Sequence, residues 1–527
     1  MQGEWTGELV GPDVWATCRE LIPAGSVFAF LAGHREALFP AGMFADMYPS
    51  RNGRPSMPPQ ILAAAVTLQA LNGLSDFETV QSLRCDLRWK AACGLGLYDT
   101  AFDPSLLAYF RRRLSCSADP QRIFTAVRRV VAETRVLKGR VRRALDSTVL
   151  DDAVATQDTV TQLIACVRRV ARVVPGAADV VTLACTGHDY ADPGKPRIAW
   201  NDQGARADLV DALVTDAIRL LAALPEREHG PEAADALGLL ALVAGQDVEP
   251  AEGSDGRDGR WRVTKGTAEN RMVSTVDPEA RHVHKTRSHK QDGYKAHLAV
   301  EPETGIYTAV AIRPGAGSEH HEATVALDLL EEDEQLTQLD LYGDTAYSSG
   351  DATAALLARG HRLYLKPAPL KIAVLGGFSL DDFTINTTTG QVTCPAGHTV
   401  TLTAPGGHYQ QRRAVFTQCP TCPLRQQCTT AKAGRVLTIR PHHDQQAAAR
   451  RRAATDPDWQ AAYRRWRPPV ERAVAWLVQG GNRRLRYRGT IPNNAWIHTR
   501  AAALNLRTLI NLGLHRANGQ WNLPAAT

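Results

Sequence analysis

From about Trp15 to Val136, apolar residues recur at helical spacing in short stretches such as PPQILAAAVTLQALNG and DPSLLAYFRRRLS. The pattern predicts an all-α N-terminal domain over residues 1–138. Asp103 precedes the second stretch at a capping position, with a helix expected from Pro104. Gly73-Leu74-Ser75-Asp76 interrupts the series and permits a helix-turn-helix. With Arg111, Arg112 and Arg113 on the last helix, the segment reads either as a DNA-binding head or as a bundle with a solvated basic face.

The texture changes at RVRRALDSTVLDDAV, where an apolar, β-branched run predicts a strand over 141–150. Helical periodicity then returns, as in TVTQLIACVRRVARVV and DLVDALVTDAIRLLAAL, and ends in the loop-like AEGSDGRDGRW. This reads as a helical insertion at about 153–265. From Asp277, GYKAHLAVEPETGIYTAVAIRPG predicts a hairpin turning through Glu303-Thr304-Gly305. A helix (HEATVALDLLEE), a strand (LDLYGDTAY), a second helix (SGDATAALLARG) and a short strand (RLYLKP) follow. The mixed order predicts an α/β or α+β core, taken as the α/β fold class, beginning at 139–369 around a central strand that ends in acidic residues. Residues 370–445 are Thr/Gly/Pro-rich with short β-like pieces, a separate cysteine-containing β-rich insertion. Residues 446–527 are basic and mostly helical, broken at Pro468-Pro469 and Gly480-Gly481.

Composition narrows the classes only slightly. The 527 residues are 44% hydrophobic and 22% charged, ordinary for globular chains, which excludes wholesale disorder. A net charge of +6 is mildly basic, so the distribution of charge matters more than its sum. The start lacks the pattern of a signal peptide, and no apolar run reaches the ~18 residues that span a bilayer. The expectation is a cytoplasmic protein with no membrane partner. Of ten cysteines, Cys18, Cys85, Cys93, Cys116, Cys166 and Cys185 are scattered and read as buried small hydrophobes.

Three carboxylates stand out by setting. Asp146 sits inside a predicted strand, Asp344 ends the apolar run of LDLYGDTAY, and Glu471 lies in a basic helix with Arg464, Arg465, Arg467 and Arg472 nearby. Carboxylate oxygens are natural Mg²⁺ ligands, and a pair of ions can serve phosphoryl transfer. Arginines at that density suit a polyphosphate backbone.

These segments, ALDSTVLDDA, DGYKAHLAVEPETG, YGDTAYSS, CPAGH with CPTCPLRQQC, and PPVERAVAW followed by GGNRRLRYRGT, together resemble the DDE transposases of bacterial insertion sequences, in the branch numbered eleven-eighty-two. GRPSMPPQILAAAVTLQALNGLSDFETV is similar to that family's helical head. The resemblance implies a ribonuclease-H-like catalytic core with Asp146, Asp344 and Glu471 as catalytic ligands of Mg²⁺ or Mn²⁺. Arg467, four residues before Glu471, matches the Arg of the Tyr/Arg/Glu signature in related elements. Tyr463 is displaced by one from that signature, and Val478 stands at its Lys position.

Arg464, Arg467, Arg483, Arg484 and Lys295 are the candidate DNA contacts. Cys394, Cys419, Cys422 and Cys428 approach structural zinc spacing, with His398 as a spare ligand, and otherwise remain reduced thiols. His282, His284, His289 and His297, mixed with Lys285, Arg287 and Lys290, read as a DNA-facing loop or solvated surface; the pair His320-His321 gives no firmer metal signal. The expected function is a transposase that binds its element's ends, cleaves DNA and joins it to a target. Its partners would be element and target DNA, in a homodimer holding two ends, nucleoid-associated in a bacterial cytoplasm. The alternatives are a metal-dependent nuclease without strand transfer and a catalytically inactive DNA-binding relic.

Overall fold

The computed structural model describes residues 1–524 apart from 5–7, 51, 53, 225–228, 257–259, 265–267, 269, 285–289, 332 and 334–337, and only the backbone of His284 and Lys290. The expectations for Lys285, Arg287 and His289 lie outside the described residues.

The first part of the chain is helical: α1 Val14–Cys18, α2 Val27–Leu38, α3 Pro59–Asn72, α4 Asp76–Cys85, α5 Leu87–Cys93, α6 Ser105–Ser115 and α7 Arg122–Thr134. Helix α3 is apolar all round and accordingly buried on nearly every side. It begins with proline in its first turn and stops at Gly73, whose φ of 73° caps the helix in the left-handed region. Ser75 and Glu78 then form a capping box that starts α4. The turn between α3 and α4 thus follows directly from three residues. A Cβ on Gly73 would lie 2.2 Å from the Gly480 carbonyl oxygen, so this turn also needs glycine for close approach to a distant loop. At α6, Asp103 accepts from the Ser105 backbone N–H at 2.8 Å, and the helix itself begins at Ser105.

Strand β1, Arg142–Asp151, centres the main sheet. Helices α8 Thr159–Val173, α9 Ala177–Ala184, α10 Gln203–Ala223 and α11 Pro231–Gln246 follow and close on a cluster of their own around Leu163, Val167, Leu213 and Leu240. Short strands β2 Val248–Pro250 and β3 Trp261–Val263 pair beside them. The sheet then adds β4 Arg281–His284, β5 Lys290–Glu301, β6 Ile306–Pro314, β7 Asp340–Gly343 and β8 Arg362–Leu365, with α12 Glu322–Glu331 and α13 Gly350–Ala358 between strands. Its order is β4-β5-β1-β7-β8, with β6 also on β5. β5 runs antiparallel to β1, β4 and β6, whereas β7 lies parallel to both β1 and β8.

Alternation along β1 separates two cores. Leu145 faces α12 and α13 with Leu329, Leu341 and Leu356, while Ala144 and Leu150 face the larger core. That larger core runs without a break from α2 through the sheet to the C-terminal helices.

The cysteine-bearing segment builds β9 Thr384–Asn386, β10 Gln391–Thr393 and β11 Thr399–Thr401, then the hairpin of β12 Arg412–Phe416 and β13 Arg435–Ile439, with α14 Arg425–Cys428 between its strands. Its apolar cluster is small, centred on Val392, Phe416, Leu437 and Ile439. Helices α15 His443–Thr455, α16 Pro457–Trp466, α17 Pro468–Val478 and α18 Thr490–Asn511 follow, and β14 His515–Ala517 with β15 Gln520–Asn522 form a last hairpin. Pro468 and Pro469 open α17, and Gly480-Gly481 lie just after its end.

Helix α18 is buried over most of Ala495–Leu506. From its middle, Arg500 donates to the carbonyls of Ala70 and Leu71 at the end of α3 and to those of Trp476, Leu477 and Gln479 at the end of α17. One guanidinium therefore satisfies carbonyls that two helix C-termini leave without partners. Among the scattered cysteines, Cys93, Cys166 and Cys185 are buried as expected, but Cys85 and Cys116 are exposed and Cys18 is intermediate. Cys85 ends α4 and Cys116 caps α6, where the chain turns outward.

Candidate active site and nucleic-acid interface

Parallel pairing aligns Ala144 with Tyr342, so Asp146 and Asp344 each stand two residues further along adjacent strands. Asp344 leaves β7 and caps a short 3₁₀ turn, accepting from the Ala346 N–H at 2.9 Å. Asp146 accepts from the Ser147 N–H at 2.8 Å. Glu471 reaches the same region from the first turn of α17. Between them lies the buried Arg467, its guanidinium 3.1 Å from Asp146 Oδ2 and 3.7 Å from Glu471 Oε1. The Nε and Nη1 of Arg467 have no hydrogen-bond partner among the described residues.

Burial raises the Asp146 carboxyl above its ordinary range; Arg467 pulls it back, and Asp344 pushes it up further. Tyr463, stacked on Trp459 at 5.1 Å, is raised by burial and lies in the field of Arg467, Asp344, Glu471 and Asp146. Five side chains from four segments thus share one electrostatic neighbourhood. Among the described residues, no group of three or more His, Cys, Asp or Glu side chains is gathered tightly enough to hold a metal ion.

The other candidate DNA contacts differ in setting. Arg464 is exposed and donates to Gln460 at 3.2 Å. Arg483 and Arg484 are also exposed and donate to the Val149 and Ala153 carbonyls, which aligns them along the end of β1. Lys295 is paired with Glu322 at 2.8 Å, so its charge is already matched. Burial opposes ionisation of Glu322, but Lys295 outweighs it and lowers that carboxyl. Ser147 Oγ also donates to Glu322, at 3.1 Å.

Of this last group, sequence reasoning singled out Lys295 alone. Glu322 follows the histidine pair that drew attention, and nothing local marks it as the partner of Lys295 on β5 and Ser147 on β1. Beside it, His297 is fully buried with neither ring nitrogen partnered among the described residues, and burial lowers its pKa to about 3. Tyr347 likewise buries a hydroxyl without a partner, close to Asp146, Glu322 and Asp344. His282 pairs with Asp292 at 2.5 Å.

Cys394, Cys419, Cys422 and Cys428 line one small cavity together with His398. The Arg435 N–H donates to Cys419 Sγ at 3.3 Å. Burial raises the Cys428 thiol, and the three other sulfurs add to the rise.

By fold and site the chain is a mixed α/β protein with an acidic centre beside a basic surface. Residues 393–510 match the family model described as a transposase DDE domain, and residues 17–113 match the transposase domain DUF772. These matches in two separate parts of the chain support a DDE-type transposase. The first includes Glu471, Arg467 and all four clustered cysteines. No curated protein and no solved structure matches the chain. No described helix is long and apolar enough to cross a membrane.

Proposed function

We propose that the protein is a DNA transposase that binds the ends of its insertion sequence, cleaves them in a metal-dependent reaction and transfers the freed strand to target DNA. The observation that carries this reading is the approach of Asp146, Asp344 and Glu471, from three distant segments, to a site organised by Arg467. An antiparallel hairpin on one side of β1 and parallel strands on the other support a ribonuclease-H-like core, interrupted by a helical and a cysteine-bearing insertion.

The donor set fits Mg²⁺ or Mn²⁺, since all three candidate ligands are hard carboxylate oxygens and the raised Asp146 gains from nearby positive charge. Bound divalent ions would stabilise charge on the attacking and leaving oxygens of an in-line displacement. Arg467 steadies Asp146 and Glu471 and favours the ionised form of Asp146. Exposed Arg464, Arg483 and Arg484 hold backbone phosphates; Lys295 contributes through Glu322 rather than as a free charge. The four thiols that line one cavity have the donor chemistry of a closed structural Zn²⁺ site with no part in catalysis, and would draw together to bind it. Two paired ends call for a homodimer, and the substrate places the protein with the nucleoid in a bacterial cytoplasm.

The test incubates the full chain with DNA carrying the gene's flanking repeats, a supercoiled target and Mg²⁺. Asp344→Asn and Glu471→Gln should each reduce end cleavage by at least about a hundredfold, more than losing a metal's outer partners costs, while retaining DNA binding. Cleavage without joined products would establish a nuclease instead, and metal-independent binding without cleavage a DNA-binding relic.

A further inference from the structure

A second concavity lies at the seam between the N-terminal helices and α18, lined from α6, from residues 153–154 just beyond β1, and from residues 486–499. Its volume is about 740 Å³, within the range of small-ligand sites. Arg111, Arg112, Arg486 and Arg488 line it beside Tyr487 and Trp496, and no carboxylate does.

The four arginines fall into two pairs. Arg111 is held by Gln69 at 2.9 Å and Asp76 at 2.6 Å and covers the Tyr487 ring at 5.5 Å. Arg486 is held by the Gly73 and Leu74 carbonyls and covers Trp496 at 4.8 Å. These two fix the aromatic wall. Arg112 and Arg488, in contrast, are exposed and have no carboxylate partner among the described residues. Such a site asks for a ligand with two unlike ends. A simple anion would leave the aromatic and aliphatic interior unused, and a neutral apolar molecule would leave the cationic mouth unmatched. A flat heteroaromatic ring carrying a phosphate satisfies both, because guanidinium pairs well with phosphate and aromatic side chains with bases.

We propose that this cavity binds a nucleoside 5′-monophosphate unit, base inward and phosphate at Arg112 and Arg488, supplied either by a DNA strand at an unpaired position or by a free nucleotide. The DNA source rests on the function proposed above; the free source does not. A nucleotide seated there would touch the N-terminal helices and the catalytic half of the chain at once.

The test titrates the full chain with dAMP by calorimetry, with inorganic phosphate and deoxyadenosine separately as controls. In parallel, 2-aminopurine is placed in single-stranded and duplex oligonucleotides and its emission followed. Ala108→Trp fills the cavity from the exposed side of α6, Arg488→Ala removes a mouth charge, and circular dichroism checks that both remain folded. dAMP binding that weakens roughly tenfold or more in both variants supports the proposal with a free nucleotide. No dAMP binding, but a 2-aminopurine response that Ala108→Trp abolishes, supports it with a DNA strand. Binding of either probe that Ala108→Trp leaves unchanged, or no response to either while DNA is still bound, overturns it. Failure to bind DNA at all would remove the proposed function, and the dAMP arm would still decide the cavity.

Discussion

Arg467 lies 3.1 Å from Asp146 and 3.7 Å from Glu471, and its removal has a definite sign. Without that cation the raised Asp146 would hold its proton to still higher pH. If cleavage needs Asp146 ionised, Arg467→Gln should move the acid limb of the pH–rate profile upward, which cleavage assays from pH 5 to 9 would record. A second carboxyl offers a test without chemistry. Asp152 is buried beside Asp277, and burial followed by the repulsion and hydrogen bonding of that neighbour raises it to about 6. A raised carboxyl stabilises the fold below its unfolded pKa and loses that contribution as pH rises through the folded one. Asp152→Asn should therefore gain about 2 kcal/mol at pH 8 and little at pH 4, read from denaturant unfolding at both. Asp146, Asp344 and Glu471 were legible because each is an acid in an apolar or basic setting. Glu322, Ser147 and Tyr347 were not, since burial and pairing between segments far apart in sequence leave no local trace.

Among the elements, β1 and β5 to β8 of the main sheet were readable from their apolar and β-branched runs, and the helices between them from their period. Strand β4, in contrast, falls on His282 and His284, read from the sequence as a loop or solvated surface. The hairpin of β5 and β6 turns where Glu303-Thr304-Gly305 predicts, because Gly305 takes a φ of 76° there. Which strands become neighbours was not readable, because pairing of β1 with β7 is decided by the faces they cover together. The β9–β13 segment shows the limit of apolar burial, for its cluster is far smaller than the main core and the core of the helical insertion. If its thiols hold zinc, metal binding contributes directly to folding. Purified protein should then carry about one zinc per chain by mass spectrometry. Cys422→Ser should lose it and expose residues 378–440 to limited proteolysis. Equal metal content in the variant would exclude the site.

Across the whole molecule, the first and last parts of the chain share one apolar core. Phe30 lies 5.4 Å from Trp521, and Phe124 lies 5.3 Å from His498. Arg500 adds the polar counterpart, tying the ends of α3 and α17 to α18. Burial lowers its pKa only to about 10, so it stays charged at neutral pH. Arg500→Met should cost about 3 kcal/mol by leaving those carbonyls unpaired, measured as a shift in denaturant midpoint. Nothing near Arg500 in sequence announces carbonyls 430 residues away.

That shared core sets a timetable for synthesis. Thr134 ends α7, yet Trp521, which closes against Phe30, is added 387 residues later. At about 5–20 residues per second the early helices wait roughly 20–80 s on the ribosome for their last packing partner. An interrupted message would therefore release a fragment with its core still open, a natural target for proteases and chaperones.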